Sequence, residues 1–435
     1  MVADTGEREM QQPNARLAQA FVIVLTVATV ISFVHRYLPS VLVDSIRGDM
    51  AITDVQFSTL QTAFALTYAA ATLGSGWIAD RTNRRNLIVA GVSLWTGGTI
   101  LFGLANELSH FWTARIMIGL GEAVLGPAGI SLICDYVSPR QRGKAIALTF
   151  FGATLGTSLA FSGGGWLLDR AEAGLFAGLP VLADLSPWRQ VVLTLGGLGL
   201  ILIPSLLAFK EPQRSFDPKT ASKGRLSDLW RLRSLFWLTL FTGSSVAVAD
   251  FAYTTWQTSL LTRSHDLSAG EAGQLLGLSA FIAGTAGAWV GGFLSDRAHD
   301  KAGLAGRIGL VQLCALGLLG SAALLVFPLA WAAIAAFALW QVAANIAYVA
   351  VAVTLQDLVT DRTRALAASM SVCLSIGLGL GFGPTTVALL NQSVVGEGGL
   401  SASLLIVLGV MGLITLSCAT LLRRGLKGRQ ASHTS

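Results

Sequence analysis

The chain has 435 residues, of which 53% are hydrophobic and only 12% are charged, about half the share found in soluble domains. This composition excludes an ordinary soluble protein and indicates a protein that lies in a membrane. The net charge of +6 does not indicate a nucleic-acid partner, because the Lys and Arg residues stand between apolar segments, where they set the topology.

Twelve apolar segments are long enough to cross a bilayer, which takes about 20 residues per helix. The N-terminal residues are polar and lack a signal-peptide layout, so we expect the first segment to stay in the membrane. We number the spans one to twelve and predict them at 17–43, 55–79, 85–106, 111–134, 142–168 and 188–209, then at 235–261, 269–294, 307–327, 329–352, 364–391 and 400–422.

The predicted fold is an all-α membrane protein of twelve transmembrane helices in two pseudo-symmetric six-helix bundles. The bundles take residues 17–209 and 235–422 and are joined by a linker at 210–234, with tails at 1–16 and 423–435. The loops after spans two, four and ten, the linker and the C-terminal tail are basic, and all of them fall on one side. By the positive-inside rule we expect both termini to be cytoplasmic in the cell membrane.

The sequence lacks the motifs of common enzymes and metal sites. It contains no Walker loop, H-E-x-x-H pair or G-x-S-x-G elbow, so we expect no enzyme activity and no cofactor. The four cysteines lie within or at the ends of apolar runs without metal-ligand spacing, and we expect neither a metal site nor a disulfide framework.

Span one carries two ionisable residues, His35 and Arg36, deep within it. Adjacent helical residues point about 100° apart, so both need not face one cavity. His35 has an ordinary pKa of about 6.5, which suits proton coupling, and the alternative is a neutral hydrogen-bonding residue. Arg36 either binds a substrate anion or belongs to a buried structural ion pair.

Span four carries Arg115 and Glu122, although a central charge costs at least about 2.5–3.5 kcal/mol on insertion scales. The two residues are two helical turns apart and therefore share a face, which we expect to line a polar cavity. We predict that Arg115 binds substrate. Glu122 is the main candidate for proton coupling, because its protonation would depend on how close an arginine lies.

Span seven carries Asp250, Tyr253 and Gln257 on one helix face. Asp250 lies near the middle of its span and is a candidate for proton coupling, with a protonated or paired packing residue as the alternative. We predict that Tyr253 and Gln257 contact the substrate.

Span ten carries a similar polar face, formed by Gln341, Asn345 and Tyr348. We predict that these residues orient a substrate head group. Hydrogen bonding between helices is the alternative role.

The two halves of the chain repeat. GWIADRTNRR, which begins at Gly76, recurs as GFLSDRAHDK from Gly292, and CDYVSPRQR from Cys134 recurs as QDLVTDRTR from Gln356, 222 residues later. Parallel repeats of six spans place a substrate site at the interface between the halves.

The repeat also bears on the charges of span four. At the shift of 222 residues, Phe337 and Ala344 occupy the positions of Arg115 and Glu122. Since the second half does without these charges, a purely structural role for them is disfavoured.

Charges at the basic ends of the spans form a further set. Such charges can form salt bridges between spans that hold one state closed, and topology control alone is the alternative. The predicted gating residues are Asp80, Arg81, Arg84, Arg85, Asp135, Arg142, Asp296 and Arg297.

Gly76–Arg85 matches the signature G-x-x-x-D-R-x-x-R-R of the major facilitator superfamily, and Gly292–Arg297 is a weaker copy. The chain resembles this superfamily over nearly its whole length. Arg36-Tyr37, Arg115 with GLGEA, and RQRG at 140–143 resemble its spinster-type lipid transporters, and the branch that carries sugar acids shares several of these residues. The resemblance implies that Arg36 lies near Glu122. Where that family usually has an aspartate, this chain has His35.

We therefore predict a secondary transporter that moves an amphipathic or organic anion, lysolipid-like by resemblance, with proton coupling through Glu122. One alternative is a proton symporter for a small carboxylate or sugar acid. An alternative of another class is a membrane receptor or sensor that does not transport. The expected partners are the substrate, protons and membrane lipids, and we expect a monomer.

Overall fold

The structure is a computed structural model and describes residues 15–212, 214, 233–396 and 399–434, all of whose regular elements are helices. The predicted tail at 1–16 and the linker at 210–234 lie for the most part outside the described residues. The helices of the first half are α1 Ala15–Val41, α2 Val43–Met50, α3 Asp54–Arg81, α4 Arg84–Gly103, α5 Leu108–Glu122, α6 Leu125–Tyr136, α7 Arg142–Glu172 and α8 Pro187–Leu207.

The second half follows the same order without the short helix α2. Its helices are α9 Arg233–His265, α10 Ala269–Leu324, α11 Ala330–Leu358, α12 Asp361–Leu390 and α13 Leu400–Thr434, with a turn of π-helix at Asn391–Val395. Ten stretches of the described residues are long and apolar enough to cross a membrane. Helix α3 is not among them, because Gln, Ser, Thr and Gly residues reduce its mean hydropathy.

Two predicted boundaries differ from the observed helices. Span four is divided into α5 and α6, because Pro127 has no N–H to offer the carbonyl of Ala123 and its ring crowds that carbonyl. Spans eight and nine run into the single element α10, where only Ala302 and Gly303 leave the helical conformation. Gly303 has a φ of 59°, in the left-handed region that glycine tolerates.

The two halves pack together along α7 with α10 and α3 with α12, and α1 also contacts α9. These contacts are tight at the end of the molecule opposite the basic loops, which we call the closed end. A Cβ at Gly277 of α10 would lie 2.7 Å from the carbonyl oxygen of Ser158 in α7, and one at Gly273 would clash with the carbonyl oxygen of Phe161. Only glycine permits this approach.

The basic ends of the same helices are apart, and we call this end of the molecule the open end. A Cβ built at Gly74 or Gly76 of α3, or at Gly292 of α10, would have no described heavy atom within 4 Å other than those of its own helix backbone and its chain neighbours. The large side chains of Trp77 and Phe293 are exposed there. The interface between the halves is therefore closed at one end and separated at the other.

Candidate functional site

A buried ion pair joins α1 to α5 within the first half. Arg36 Nη2 lies 2.7 Å and Nε 3.0 Å from Glu122 Oε2, and the two side chains are 7% and 0% exposed. Glu122 is the last residue of α5, directly before the break at Pro127. The prediction that Arg36 lies beside Glu122 thus agrees with the geometry.

Aromatic rings surround the Arg36 guanidinium group. Its central carbon lies 4.6 Å from the ring centre of Phe33, 5.4 Å from that of Phe64 and 4.8 Å from that of Tyr68. The negative faces of such rings attract a cation that has left water. Phe64 and Tyr68 are four residues apart on α3, a spacing in the sequence that could have indicated a shared face toward this site.

Arg115 is a second buried cation on the same face of α5. Its side chain donates to Gln61 Oε1 and, over 3.4 Å, to the Leu60 carbonyl, and its guanidinium carbon lies 4.9 Å from the Phe64 ring centre. Arg115 is fully buried, and none of the described carboxylates lies within ion-pair distance of it. Its Nη1 atom has no hydrogen-bond partner among the described residues.

His35 faces a different part of the first half. Its Nε2 donates to the Leu195 carbonyl of α8 at 3.0 Å, and its Nδ1 lies 3.4 Å from Thr99 Oγ1 of α4. These contacts orient the imidazole away from Arg36 and Glu122, and they suit the hydrogen-bonding alternative.

Asp250 lies across the interface, on α9. It accepts a hydrogen bond of 3.1 Å from Trp340 Nε1, and the Tyr348 side chain lies within electrostatic range of it. Tyr37 of α1 lies within electrostatic range of Asp250 as well as of Arg36 and Glu122. Asp250 of the second half and the Arg36–Glu122 pair of the first half are therefore both within electrostatic range of Tyr37.

The other predicted substrate residues of α9 are buried in the packing of the second half. Tyr253 is fully buried against Phe337 and Trp340, and its hydroxyl donates to the Ala333 carbonyl. Gln257 is buried, and neither polar atom of its amide has a hydrogen-bond partner within the described residues.

The two amides of α11 contact each other and the neighbouring helix. Asn345 Nδ2 donates to the Gln341 carbonyl at 2.8 Å and lies 3.3 Å from Gln341 Oε1. A Cβ built at Gly287 of α10 would lie 3.0 Å from Asn345 Cβ. These hydrogen bonds lie within α11 and the contact with α10 is a packing contact, so among the described residues neither amide forms the hydrogen bond between helices that was the predicted alternative.

The charges at the open end form networks inside each half. Arg84 contacts Asp135 at 2.5 Å and Glu211 at 2.8 Å, and Arg85 donates to the Phe209 carbonyl at 2.8 Å. Arg142 donates to two carbonyls, those of Cys134 and Val137. The remaining predicted gating residues, Asp80, Arg81, Asp296 and Arg297, are not buried.

Sequence reasoning missed the counterpart of Arg84 in the second half. Arg307 pairs with Asp357 and lies 3.9 Å from Asp296. Arg307 follows Arg84 by 223 residues, close to the repeat shift, and this spacing could have revealed it. The pairs Arg84–Asp135 and Arg307–Asp357 are therefore repeats of one another.

Sequence reasoning also missed an ion cluster at the closed end, formed by Asp44, Arg47, Asp54 and Arg263. Arg263 of α9 reaches Asp44 at 2.6 Å and Asp54 at 2.8 Å, and thereby joins the halves. Arg47 contacts Asp54 at 3.0 Å within the first half. In the sequence, Asp44, Asp54 and Arg263 stand at the ends of spans one, two and seven, and this placement could have indicated the cluster.

Known proteins share both the sequence pattern and the fold. The family model of the Major Facilitator Superfamily matches residues 25–384. The chain is 25% identical to an MFS-type efflux pump of Mycolicibacterium smegmatis, over 95% of this chain and 94% of the relative. Identity to the protein spinster of Drosophila melanogaster is also 25%, over 86% of this chain and 62% of that protein.

A probable L-galactonate transporter of Escherichia coli is 25% identical over 65% of this chain and 62% of its own length. The alignments thus span less than two thirds of the galactonate and spinster relatives. Among solved structures, a bacterial homologue of the human lysosomal transporter Spinster, inward-facing and unoccupied, matches with a TM-score of 0.83 and 23% identity, over 94% of this chain and 98% of that one. The predicted all-α fold of two six-helix bundles is confirmed.

Proposed function

Since the chain belongs to the major facilitator superfamily, as a transporter most like the spinster-type branch, we propose that it moves an amphipathic or organic anion by alternating access and couples this movement to protons through Glu122. The supporting observation is the charge of the buried site in the first half. Two guanidinium groups, Arg36 and Arg115, are buried there, and the carboxylate of Glu122 pairs with Arg36 alone. A buried cation without a counter-charge is unfavourable, so the site favours an anion.

The ion pair supplies a mechanism for coupling. A substrate anion at the two arginines competes with Glu122 for Arg36. A carboxylate that loses its arginine partner in a cavity of low dielectric is stabilised by binding a proton. Proton uptake at Glu122 then depends on substrate occupancy.

The basic loops indicate which side of the membrane the open end faces. By the positive-inside rule the open end faces the cytoplasm, so both termini are cytoplasmic and the halves are separated on the cytoplasmic side. The charges at the open end, from Asp80 and Arg81 to Asp296 and Arg297, would meet across the halves when this end closes.

A transport assay in proteoliposomes tests the coupling. Glu122→Gln keeps the size of the side chain but cannot exchange a proton, so we expect accumulation driven by an imposed pH gradient to fall at least about tenfold, while exchange of labelled for unlabelled substrate persists. Glu107→Gln, at an exposed position before α5, is the matched control and should behave like the wild type. Unchanged gradient-driven accumulation in Glu122→Gln would contradict the assignment.

A second candidate function is transport of a small carboxylate or sugar acid, which the name of the galactonate relative favours. L-galactonate and lysophosphatidic acid are suitable probes for the two substrate classes. The class that raises the thermal unfolding temperature of the purified protein is the one it binds. Binding without flux in proteoliposomes would instead support a receptor or sensor on this fold.

A further inference from the structure

The hydrogen-bond acceptors that hold the buried Arg115 guanidinium group are uncharged. Its Nη2 atom donates to the amide oxygen of Gln61, and its Nε atom lies 3.4 Å from the Leu60 carbonyl oxygen. Both acceptors belong to one turn of α3. In proteins a buried charge is usually paired with an opposite charge, because an unpaired charge removed from water is unfavourable. At Arg115 an amide occupies the place that a carboxylate could take.

The Gln61 amide is oriented so that its oxygen, and not its nitrogen, faces Arg115. The side chain is only 1% exposed, and its Nε2 atom donates to Ser40 Oγ of α1 over 3.4 Å. A guanidinium group has donors and no acceptor, so the reversed amide would bring donors together at Arg115. The contact with Ser40 therefore supports the orientation in which Gln61 accepts.

The contacts with α3 leave part of the guanidinium group unoccupied. Nη1 of Arg115 is buried and has no hydrogen-bond partner among the described residues, while Nε and Nη2 face α3. The Phe64 ring, one turn after Gln61, lies 4.9 Å from the Arg115 guanidinium carbon and 5.4 Å from that of Arg36. Helix α3 thus holds Arg115 near Arg36 without supplying a negative charge.

The charge at position 61 should decide whether Arg115 can receive an anion. Glutamate has nearly the same shape as glutamine, but its carboxylate would form a charge-assisted pair with the guanidinium group. A substrate anion would then have to displace a partner that is already in place. The neutral amide satisfies one donor of Arg115 and leaves the positive charge without compensation.

We propose that Gln61 is the positioning residue of Arg115 and determines the affinity of the site for anions, because its amide orients the guanidinium group and leaves its charge to the substrate. This inference rests on the proposed anion transport and deepens it by assigning a specificity-determining residue to α3. It has a distinctive consequence, since stability and anion binding should change in opposite directions when residue 61 is replaced.

An isosteric variant tests the proposal in the full-length protein in nanodiscs. The probe is whichever of L-galactonate and lysophosphatidic acid raises the unfolding temperature of the wild type. We expect Gln61→Glu to bind this probe at least about tenfold more weakly than the wild type. Without the probe its unfolding temperature should equal or exceed that of the wild type, because the buried Arg115 gains a counter-charge.

A second variant separates positioning from a merely structural role. Gln61→Met has a similar length but lacks the acceptor, so its unfolding temperature should fall, while its affinity for the probe should stay within about threefold of the wild type because the charge of Arg115 remains. A structural residue would instead lose binding in the order in which it loses stability. Gln56→Glu adds the same charge at an exposed position of α3 and should match the wild type in both measurements.

The outcomes distinguish a failure of this role from a failure of the anion site. If Arg115→Gln loses the probe but Gln61→Glu binds it like the wild type or does not fold, the role of Gln61 is overturned and the proposed anion transport stands. Affinities that follow the unfolding temperatures of Gln61→Glu and Gln61→Met would overturn it as well. If the wild type binds neither probe, or Arg115→Gln binds as well as the wild type, the anion site itself fails and the role of Gln61 fails with it.

Discussion

His35 and Arg36 are neighbours in α1, yet they contact different parts of the first half. Arg36 joins the pair with Glu122, while His35 bonds the Leu195 carbonyl. The rotation of about 100° between adjacent helical residues accounts for this separation. A protonated His35 would place a further cation in a region that offers it only neutral partners.

A substitution at His35 separates the two roles that the sequence left open. His35→Leu removes the hydrogen bond to the Leu195 carbonyl, so we expect a loss of about 1 kcal/mol in the free energy of unfolding and no loss of gradient-driven transport per folded molecule. His35→Gln retains a donor and should recover part of the stability. Loss of gradient-driven transport with exchange intact would instead assign proton coupling to His35.

At the scale of elements, the break between α5 and α6 decides where Glu122 lies. A continuous span four would have carried Glu122 in mid-helix, but the break makes it the last residue of α5, beside α1. Pro127 is visible in the sequence, and its effect on the preceding turn follows from its missing N–H. The direction in which the broken helix continues depends on its neighbours, which the local sequence does not contain.

The short helix α2 is attached to the start of α8 through Asp49. The carboxylate accepts hydrogen bonds of 2.8 Å from both Ser186 Oγ and Trp188 Nε1, and Arg189 Nε lies 3.4 Å away. Partial burial raises the pKa of Asp49, but these hydrogen bonds and the charge of Arg189 lower it by more, so the pKa lies below its usual value of 3.8.

This lowered pKa predicts how stability depends on pH. A carboxyl group with a lower pKa in the folded state stabilises the fold above its unfolded-state pKa, and the contribution is lost as the pH falls through the folded-state value. Wild type should therefore unfold at a higher temperature than Asp49→Asn at pH 7, and the difference should shrink progressively as the pH falls below 3.8 toward the lower folded-state pKa. Asp184→Asn should show no such dependence, and a constant difference for Asp49→Asn would contradict the account.

At the scale of the whole molecule, the two ends of the interface are held differently. Arg263 crosses between the halves at the closed end, whereas Arg84 and Arg307 at the open end pair within their own halves. The open end therefore has charged networks that stabilise each half separately, and the closed end has ion pairs that must break before the halves can separate there.

Removal of the crossing cation should shift the molecule toward the opposite state. Arg263→Gln breaks the contacts to Asp44 and Asp54, so we expect the population open at the closed end to rise about tenfold, equivalent to about 1.4 kcal/mol. Spin labels at Asp184→Cys and Leu329→Cys, in a variant without the native cysteines, report the distance between the halves.

Arg47→Gln is the matched control, because Arg47 contacts the same Asp54 from within the first half. It should leave the distance distribution unchanged. Equal distributions for wild type, Arg47→Gln and Arg263→Gln would show that the cluster does not hold the closed end.

The sequence by itself determined the properties that depend on local composition: the spans, the basic side of the loops, the repeat of the halves and the presence of Arg36, Arg115 and Glu122 inside apolar segments. Hydropathy and charge placement suffice for these, because insertion into a bilayer is decided segment by segment. The correspondence of Arg307 to Arg84 could also have been predicted, because the two residues are separated by nearly the repeat shift.

Only the tertiary structure decided which charges meet. Arg36 and Glu122 are 86 residues apart, Asp250 and Trp340 are 90, and Arg263 and Asp54 are 209, so their pairing depends on how whole helices pack. Helical periodicity gives the face of each residue but not the neighbour which that face contacts. The isolation of Arg115 from ionic partners among the described residues, which supports the proposed function, is for the same reason a property of the packed helices.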